Sequence, residues 1–177
     1  MNIARALACP GFMSEAELSY LARIAGKSRR IIEVGSWKGR STIAFAENTS
    51  GIVWAVDSWD GRLQHDTEAP INRQVFNEFL HNTEGLTNIW PVPMESTAAA
   101  KLMREAGMLA DVVFIDGTHS YEAVKADILA WRPLLACYGI FCGHDFADPN
   151  WSGVEKAVRE LIPKFSVIDH IWTTEAL

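Results

Sequence analysis

Residues 30–41 read Arg30-Ile-Ile-Glu33-Val-Gly35-Ser-Trp-Lys-Gly39-Arg-Ser41, a short apolar run followed by two glycines four positions apart. The run over residues 30–35 predicts a buried strand, because it is apolar, brief and ends in glycine. Gly35 and Gly39 allow the backbone to turn tightly and to approach a ligand before a helix starts near Ser41. The segment therefore predicts a strand, a turn and a helix in succession.

Strands and helices alternate along the rest of the chain. Further strands are predicted at residues 51–57, 88–92, 111–116 and 138–144, with one or two more within residues 165–173. Helices are predicted after the capping box of Ser14 and Glu17 and over residues 41–48, 70–80, 96–105, 121–131 and 154–161. Continuous apolar strands separated by helices favour a mostly parallel sheet covered on both faces. We expect an α/β, doubly wound, Rossmann-like fold of three layers, α/β/α, in a single domain spanning residues 1–177.

The composition argues against nucleic-acid and membrane functions. The net charge is −6, and the only basic cluster, residues 27–30, is typical of a solvated turn. No apolar run is long enough to span a bilayer, and the N-terminus lacks the apolar core of a signal peptide. Cys9, Cys137 and Cys142 form no CxxC pair, and the last two are predicted to be buried free thiols. These features favour a cytoplasmic protein.

Chemically reactive side chains are concentrated at the predicted strand ends. They are Glu33, Asp57, Asp116, His144 and Asp145, each at or just beyond the carboxyl end of a predicted strand. In open α/β sheets the ligand crevice lies at those ends. This coincidence is the main sequence evidence for an active site.

The glycine turn and Asp57 indicate an adenosine ligand without phosphate. The turn is G-x-x-x-G, whereas dinucleotide folds use G-x-G-x-x-G to approach a pyrophosphate. Asp57 ends the next strand, where a carboxylate can accept hydrogen bonds from both ribose hydroxyls. Two acids near the crevice suit the sulfonium and ammonium of S-adenosylmethionine better than the phosphates of NAD. The alternative is structural: the glycines shape a turn, and Asp57 caps a loop.

Four motifs carry a resemblance to a known family. They are E-V-G-x-x-x-G-x-S at residues 33–41, V-D at 56–57, F-I-D-G-x-H-x-Y-E at 114–122 and G-H-D at 143–145. Together they resemble the class I S-adenosylmethionine-dependent methyltransferases. Within that class the sequence is most similar to the small-molecule O-methyltransferase branch, which includes macrocin- and mycinamicin-type sugar methyltransferases and cephalosporin-hydroxylase-like proteins. The resemblance runs from about residue 30 to residue 158.

The resemblance implies a role for each matching position. The methionine end of the cofactor would be lined by Glu33, Gly35, Ser36, Gly39 and Ser41. Asp57 would hold the ribose, with Ser58 beside it, and Glu95 and Ser96 would sit by the adenine. Asp116 would lie near both the sulfonium and a metal.

The resemblance also implies a catalytic group of four side chains. Asp116, His144 and Asp145 would contribute to a magnesium site, and His119 would be the base that removes the proton of the acceptor hydroxyl. Relatives often carry an acid where this chain has His144. Because imidazole is a poor magnesium ligand, the site takes a softer metal, or His144 only supports the ligands, or no metal is used. In the structural alternative His119 is a satisfied loop histidine and Asp145 caps a turn.

The function expected is metal-assisted O-methylation of a hydroxylated small molecule, whose identity the sequence leaves open. One rival is an NAD-type oxidoreductase, which would need the missing glycine pattern. The other is a catalytically silent methyltransferase-like binding module, because the chain lacks an obvious lid. In an active enzyme without a lid, the loop over residues 58–69 or a second subunit of a homo-oligomer would instead cover the substrate. Trp37 and Trp59, at strand ends, are candidates to stack on the adenine or to wall the pocket.

Overall fold

The sheet is built from the strands that the sequence predicts. The computed structural model describes residues 1–59 and 73–175, and within them a seven-stranded sheet has the order β3-β2-β1-β4-β5-β7-β6. The strands are β1 (Arg30–Val34), β2 (Ile52–Asp57), β3 (Ile89–Pro93), β4 (Ala110–Ile115), β5 (Leu135–Gly143), β6 (Ser166–Ile168) and β7 (Ile171–Thr173). Strands β1 to β5 pair in parallel, whereas β7 is antiparallel to both β5 and β6. The doubly wound, mostly parallel fold is confirmed.

Seven α-helices occur in the described ranges. They are α1 (Ala4–Ala8), α2 (Glu15–Ala25), α3 (Arg40–Ala46), α4 (Arg73–Asn82), α5 (Ser96–Glu105), α6 (Tyr121–Trp131) and α7 (Ser152–Leu161). The predicted capping box is present at the start of α2. The Ser14 side chain accepts a hydrogen bond from the backbone N–H of Glu17, and the Glu17 side chain accepts one from the backbone N–H of Ser14. No helix in either described segment is both long enough and apolar enough to cross a bilayer.

Two apolar cores pack against opposite faces of the sheet. On one face, Ile31 of β1 shares a cluster with residues of α1, α2 and α3. On the other, Ile32 and Val34 share a cluster with residues of α5, α6 and α7. Because side chains alternate along a strand, Glu33 lies on the face of Ile31, beneath α3. A carboxylate thus occupies a core position at the end of the first strand.

The strand order reverses between β1 and β4. Chain connections from β1 lead to β2 and β3 on one side, and the later strands β4 and β5 lie on the other side. Backbone hydrogen bonds hold the strand ends in register: Gly35 N donates to Val56 O at 2.8 Å, and Asp116 N donates to Val34 O at 2.7 Å. The carboxyl ends of β2, β1, β4 and β5 therefore form one edge, where a doubly wound sheet binds its ligand.

Some expectations need correction. Cys137 is exposed, so its predicted burial is wrong, whereas Cys142 is buried as predicted. The reason is an irregularity in β5: its pairing with β4 shifts between residues 135 and 140, and Tyr138 has a positive φ of 64°. This shift leaves residues 137 and 138 facing solvent. Helix α1 was not expected from the sequence. The predicted loop over residues 58–69 and helix start at residues 70–71 fall largely in 60–72, outside the described residues.

Candidate active site

The glycine turn lies directly against the end of β4. Gly35 has a φ of +91°, and a Cβ atom placed on it would lie 2.0 Å from the carbonyl oxygen of Asp116. Gly39, with a φ of +93°, is the N-cap residue of α3. Both positions need glycine because this backbone conformation disfavours L side chains. The turn and Asp116 are thus neighbours, as the sequence predicts.

The Glu33 carboxylate is fully buried beneath this turn. One oxygen, Oε2, accepts hydrogen bonds from Ser36 Oγ at 2.7 Å and from Thr42 Oγ1. The other, Oε1, has no hydrogen-bond partner within the described residues. Burial raises the pKa of Glu33 to about 7, although the hydroxyls of Ser41, Thr42 and Ser36 oppose the shift. The structure therefore places Glu33 under the turn, in contact with the hydroxyls that begin α3.

Asp57 fixes the neighbouring loops through both of its carboxylate oxygens. Oδ2 accepts from the backbone of Trp37 at 2.8 Å, and Oδ1 accepts from the backbone of Trp59 at 2.7 Å. Asp57 is half-buried, and Ser58 beside it is exposed.

Trp59 does not line an open pocket. Its side chain is buried and packs on Phe76 and Phe79 of α4, with ring centroids 4.7 and 4.8 Å away. Its indole N–H donates to the carbonyl oxygen of Trp37 at 2.8 Å. In this structure Trp59 has no face open for adenine. Trp37 remains partly exposed and stacks on Phe12, at 5.6 Å between ring centroids.

Glu95 and Ser96 lie where β3 leads into α5. Glu95 is exposed and caps α5 by accepting from the backbone of Ala98 at 3.0 Å. Ser96 donates to Asp127 Oδ1 at 2.5 Å and accepts from the indole of Trp131 at 2.8 Å. The Ser96 hydroxyl is therefore engaged inside the protein. Asp127, which the sequence reasoning missed, is buried, and burial raises its pKa to about 6.

Asp116, His144 and Asp145 come together at the ends of β4 and β5. His144 Nδ1 lies 3.1 Å from Asp145 Oδ1 and 3.6 Å from Asp116 Oδ1. One ligand atom from each residue can be chosen so that all three lie within 4.8 Å of one another. Burial opposes protonation of His144, but Asp116, Asp145 and Glu17 outweigh it and raise the pKa of His144 to about 12. In the absence of another cation, a proton on His144 compensates these carboxylates.

His119 joins the same group from the loop after β4. Its Nε2 atom lies 2.8 Å from Asp145 Oδ2 and 4.0 Å from Asp116 Oδ1. Its ring packs against the indole of Trp151, with centroids 4.6 Å apart. Burial disfavours the charged ring, but Asp145 and Asp116 outweigh it and raise the pKa of His119. Asp145 therefore contacts both histidines, one through each carboxylate oxygen.

Glu17 is the residue of this site that the sequence analysis recognised only as a helix cap. Its Oε1 atom lies 3.0 Å from His144 Nε2, and the side chain is 2% exposed. The signal in the sequence was a capping box, and a local motif says nothing about what the second oxygen contacts. Trp151 was also missed. It lies at the start of α7, far from His119 in the sequence, and no local pattern indicates that the two rings meet.

The fold and site define an α/β protein whose sheet has acidic side chains and histidines at its switch point. Comparison with known proteins gives the class a name. The family model described as a methyltransferase domain matches residues 32–146, and the chain belongs to this family. It is an S-adenosylmethionine-dependent methyltransferase, as the sequence resemblance predicted. The NAD-type alternative is not favoured.

Solved structures share the fold. The O-methyltransferase from Bacillus cereus in complex with SAH has a TM-score of 0.69 and 15% identity, over 95% of this chain and 84% of that one. Cofactor-bound Rv0187 from MTB has a TM-score of 0.67 and 18% identity, over 97% and 85%. CalS11, a TDP-rhamnose 3′-O-methyltransferase of calicheamicin biosynthesis, has a TM-score of 0.65 and 17% identity, over 88% and 76%. No curated protein sequence matches the chain.

Proposed function

We propose that this protein methylates a hydroxyl group of a small molecule, with help from a divalent metal. The observation that carries the proposal is the meeting of four side chains, Asp116, His119, His144 and Asp145, beside the glycine turn. Carboxylates and imidazoles that meet at the carboxyl ends of strands can bind a cation, and an imidazole among them can remove a hydroxyl proton. The solved structures of similar fold include O-methyltransferases, which supports oxygen as the methylated atom.

The residues fit the cofactor. Gly35 and Gly39 have no side chains and so allow the main chain of the turn to approach a ligand, and the Asp57 carboxylate lies at the end of β2, where it can accept hydrogen bonds from ribose hydroxyls. The exposed carboxylate of Glu95 lies at the end of β3, within the proposed adenine region. Bound S-adenosylmethionine supplies an activated methyl group. Glu33 and Ser36 would support the turn from beneath, and Asp57 would fix the cofactor's orientation.

The residues also fit a divalent metal. Atoms bound to one ion at about 2.0–2.2 Å lie roughly 3–3.6 Å from one another, the spacing that His144 Nδ1 has with Asp145 and Asp116. Two carboxylates and an imidazole favour zinc or manganese over magnesium. A bound ion would lower the pKa of an acceptor hydroxyl.

His119 would be the base that accepts the hydroxyl proton. Asp145 holds its Nε2 atom, and Trp151 supports its ring, so the imidazole has a fixed orientation. Fixing the base and the acceptor in place lowers the entropic part of the barrier, which can amount to roughly 7–11 kcal/mol in well-oriented systems.

The three cysteines are free thiols, two buried and one exposed, which supports a reducing compartment. We therefore also propose that the protein acts in the cytoplasm.

The test is transfer of a labelled methyl group from S-adenosylmethionine to a panel of sugars, catechols and other hydroxylated natural products. We expect transfer to at least one acceptor, its loss after EDTA treatment, and recovery on adding Zn²⁺ or Mn²⁺. Transfer that is insensitive to EDTA would refute the metal, and binding of cofactor without any transfer would favour the silent module.

Two substitutions separate the cofactor role from the catalytic role. Asp57→Ala should weaken S-adenosylhomocysteine binding about 10- to 100-fold, the value of a hydrogen bond to a charged group. His119→Ala should lower kcat about 100-fold or more while leaving that affinity unchanged. Asp111→Ala is the matched control, because Asp111 also accepts two backbone N–H groups, both at 3.0 Å, but at the opposite end of the sheet. Equal affinity in Asp57→Ala and wild type would contradict the ribose assignment.

A further inference from the structure

We propose that Glu17 is a positioning residue that holds the His144 ring in the orientation needed to bind the metal. The inference rests on the proposed metal site. It assigns a role to a residue of α2, which lies outside the part of the chain that matches the methyltransferase family.

The two oxygens of Glu17 contact different parts of the protein. Oε2 accepts from the backbone of Ser14 at 2.7 Å, which is the capping bond of α2. Oε1 lies 3.0 Å from His144 Nε2 and also accepts from the backbone of His170 at 3.0 Å. The cap uses only one oxygen, so helix capping does not account for the second set of contacts.

Those contacts fix which nitrogen of His144 faces the metal site. A carboxylate oxygen that faces Nε2 at 3.0 Å favours a proton on that nitrogen, and the other nitrogen, Nδ1, then points toward Asp116 and Asp145. In metal proteins a ligating histidine commonly donates its second N–H to a carboxylate, which fixes the tautomer and the ring orientation. Glu17, His144 and the two aspartates have this arrangement.

The surroundings hold Glu17 itself in place. Its side chain is 2% exposed, and that of His144 is 8% exposed. His170 lies in the turn between β6 and β7, and its Nδ1 atom lies 3.1 Å from the carbonyl oxygen of Phe146. Helix α2, the β6–β7 turn and the segment after β5 thus meet at Glu17 Oε1. A carboxylate fixed from three directions can hold the ring of His144 against rotation.

The experiment measures the affinity of Zn²⁺ and of Mn²⁺ alone by calorimetry, together with the melting temperature of each variant. Glu17→Gln keeps the length of the side chain and one acceptor oxygen but removes the charge, and it should weaken metal binding about 10-fold. Glu17→Ala removes the contact and should weaken binding about 100-fold. The graded order of wild type, Glu17→Gln and Glu17→Ala is expected for a positioning contact.

Two controls isolate the contact with His144. Glu15→Gln removes a charge from the exposed side of the same helical turn, and Ser14→Ala removes the hydroxyl of the capping box. Both should bind metal within about twofold of wild type, since neither touches His144. If Glu17→Ala fails to fold, the metal affinity of Glu17→Gln alone tests the positioning role.

The outcomes distinguish the inference from the proposed function. Wild-type affinity in Glu17→Gln would overturn the positioning role, and so would an equal loss of affinity in Ser14→Ala, which would indicate a cap effect. Failure of the wild-type protein to bind either metal would refute the metal site itself, and the inference with it.

Discussion

The buried carboxyl of Glu33 should make the stability of this protein depend on pH in a way that one substitution removes. Glu33 is 0% exposed, and burial raises its pKa from an ordinary 4.5 to about 7 in the folded state. Between these two values the folded state binds more protons than the unfolded state. The free energy of unfolding therefore falls as the pH rises through this range.

The magnitude follows from the size of the shift. A difference of about 2.5 pKa units corresponds to about 3 kcal/mol, of which about 2–3 kcal/mol develops from about pH 5 to about pH 8. Glu33→Gln has nearly the same shape and cannot ionise, so its stability lacks this component. Urea denaturation across that pH range measures the free energy of unfolding of wild type and variant. As the pH rises, this free energy should fall by about 2–3 kcal/mol more in wild type than in Glu33→Gln.

Other titrating groups occur in both proteins and cancel in the difference. Glu15→Gln, at an exposed position, is the control, and its curve should run parallel to that of wild type. If the free energies of unfolding of Glu33→Gln and wild type instead change with pH in parallel, Glu33 has the same pKa in the folded and unfolded states. The account of a neutral carboxyl beneath the turn would then be wrong.

Two further predictions concern the framework of the site. Gly35→Ala should destabilise the protein by about 2–4 kcal/mol in denaturant melts, because its Cβ would collide with the carbonyl oxygen of Asp116, the residue after β4. Gly85→Ala, with a φ of +81° and nothing within 4 Å, should cost only about 1–2 kcal/mol, and equal costs would contradict the collision. Ser96→Ala should cost about 1–3 kcal/mol, because it removes a hydrogen bond from the buried Asp127 and another from the indole of the buried Trp131. Thr97→Ala, whose hydroxyl donates to an exposed carboxylate, should cost less than about 0.5 kcal/mol, and a similar loss in both would refute this argument.

Much of the candidate site was predictable because it depends on local patterns. A buried parallel strand is recognisable in the sequence as a short apolar run, and the carboxyl ends of all parallel strands lie at the same edge of the sheet. Placing Asp116, His144 and Asp145 at strand ends was therefore enough to predict that they meet, and the structure brings them within 4.8 Å. Their roles in binding and catalysis stay predictions.

Other features could not be obtained from local patterns. The sequence places Trp59 at a strand end, where it could face a ligand, but α4 packs over it and buries it. Cys137 lies beside an apolar run, but an irregularity of β5 turns it outward. In both cases the direction of a side chain depends on how neighbouring elements pack.

The amino-acid sequence alone determined the order of strands and helices, the glycine turn and the acids at the strand ends, because each of these follows from the periodicity or conformational preference of nearby residues. Only the tertiary structure decided that Glu17 meets His144, 127 positions away, and that the Glu33 carboxylate is enclosed under α3. Contacts of this kind arise when helices pack on the sheet. Packing sums many weak apolar contacts over distant segments, and no local pattern encodes the result.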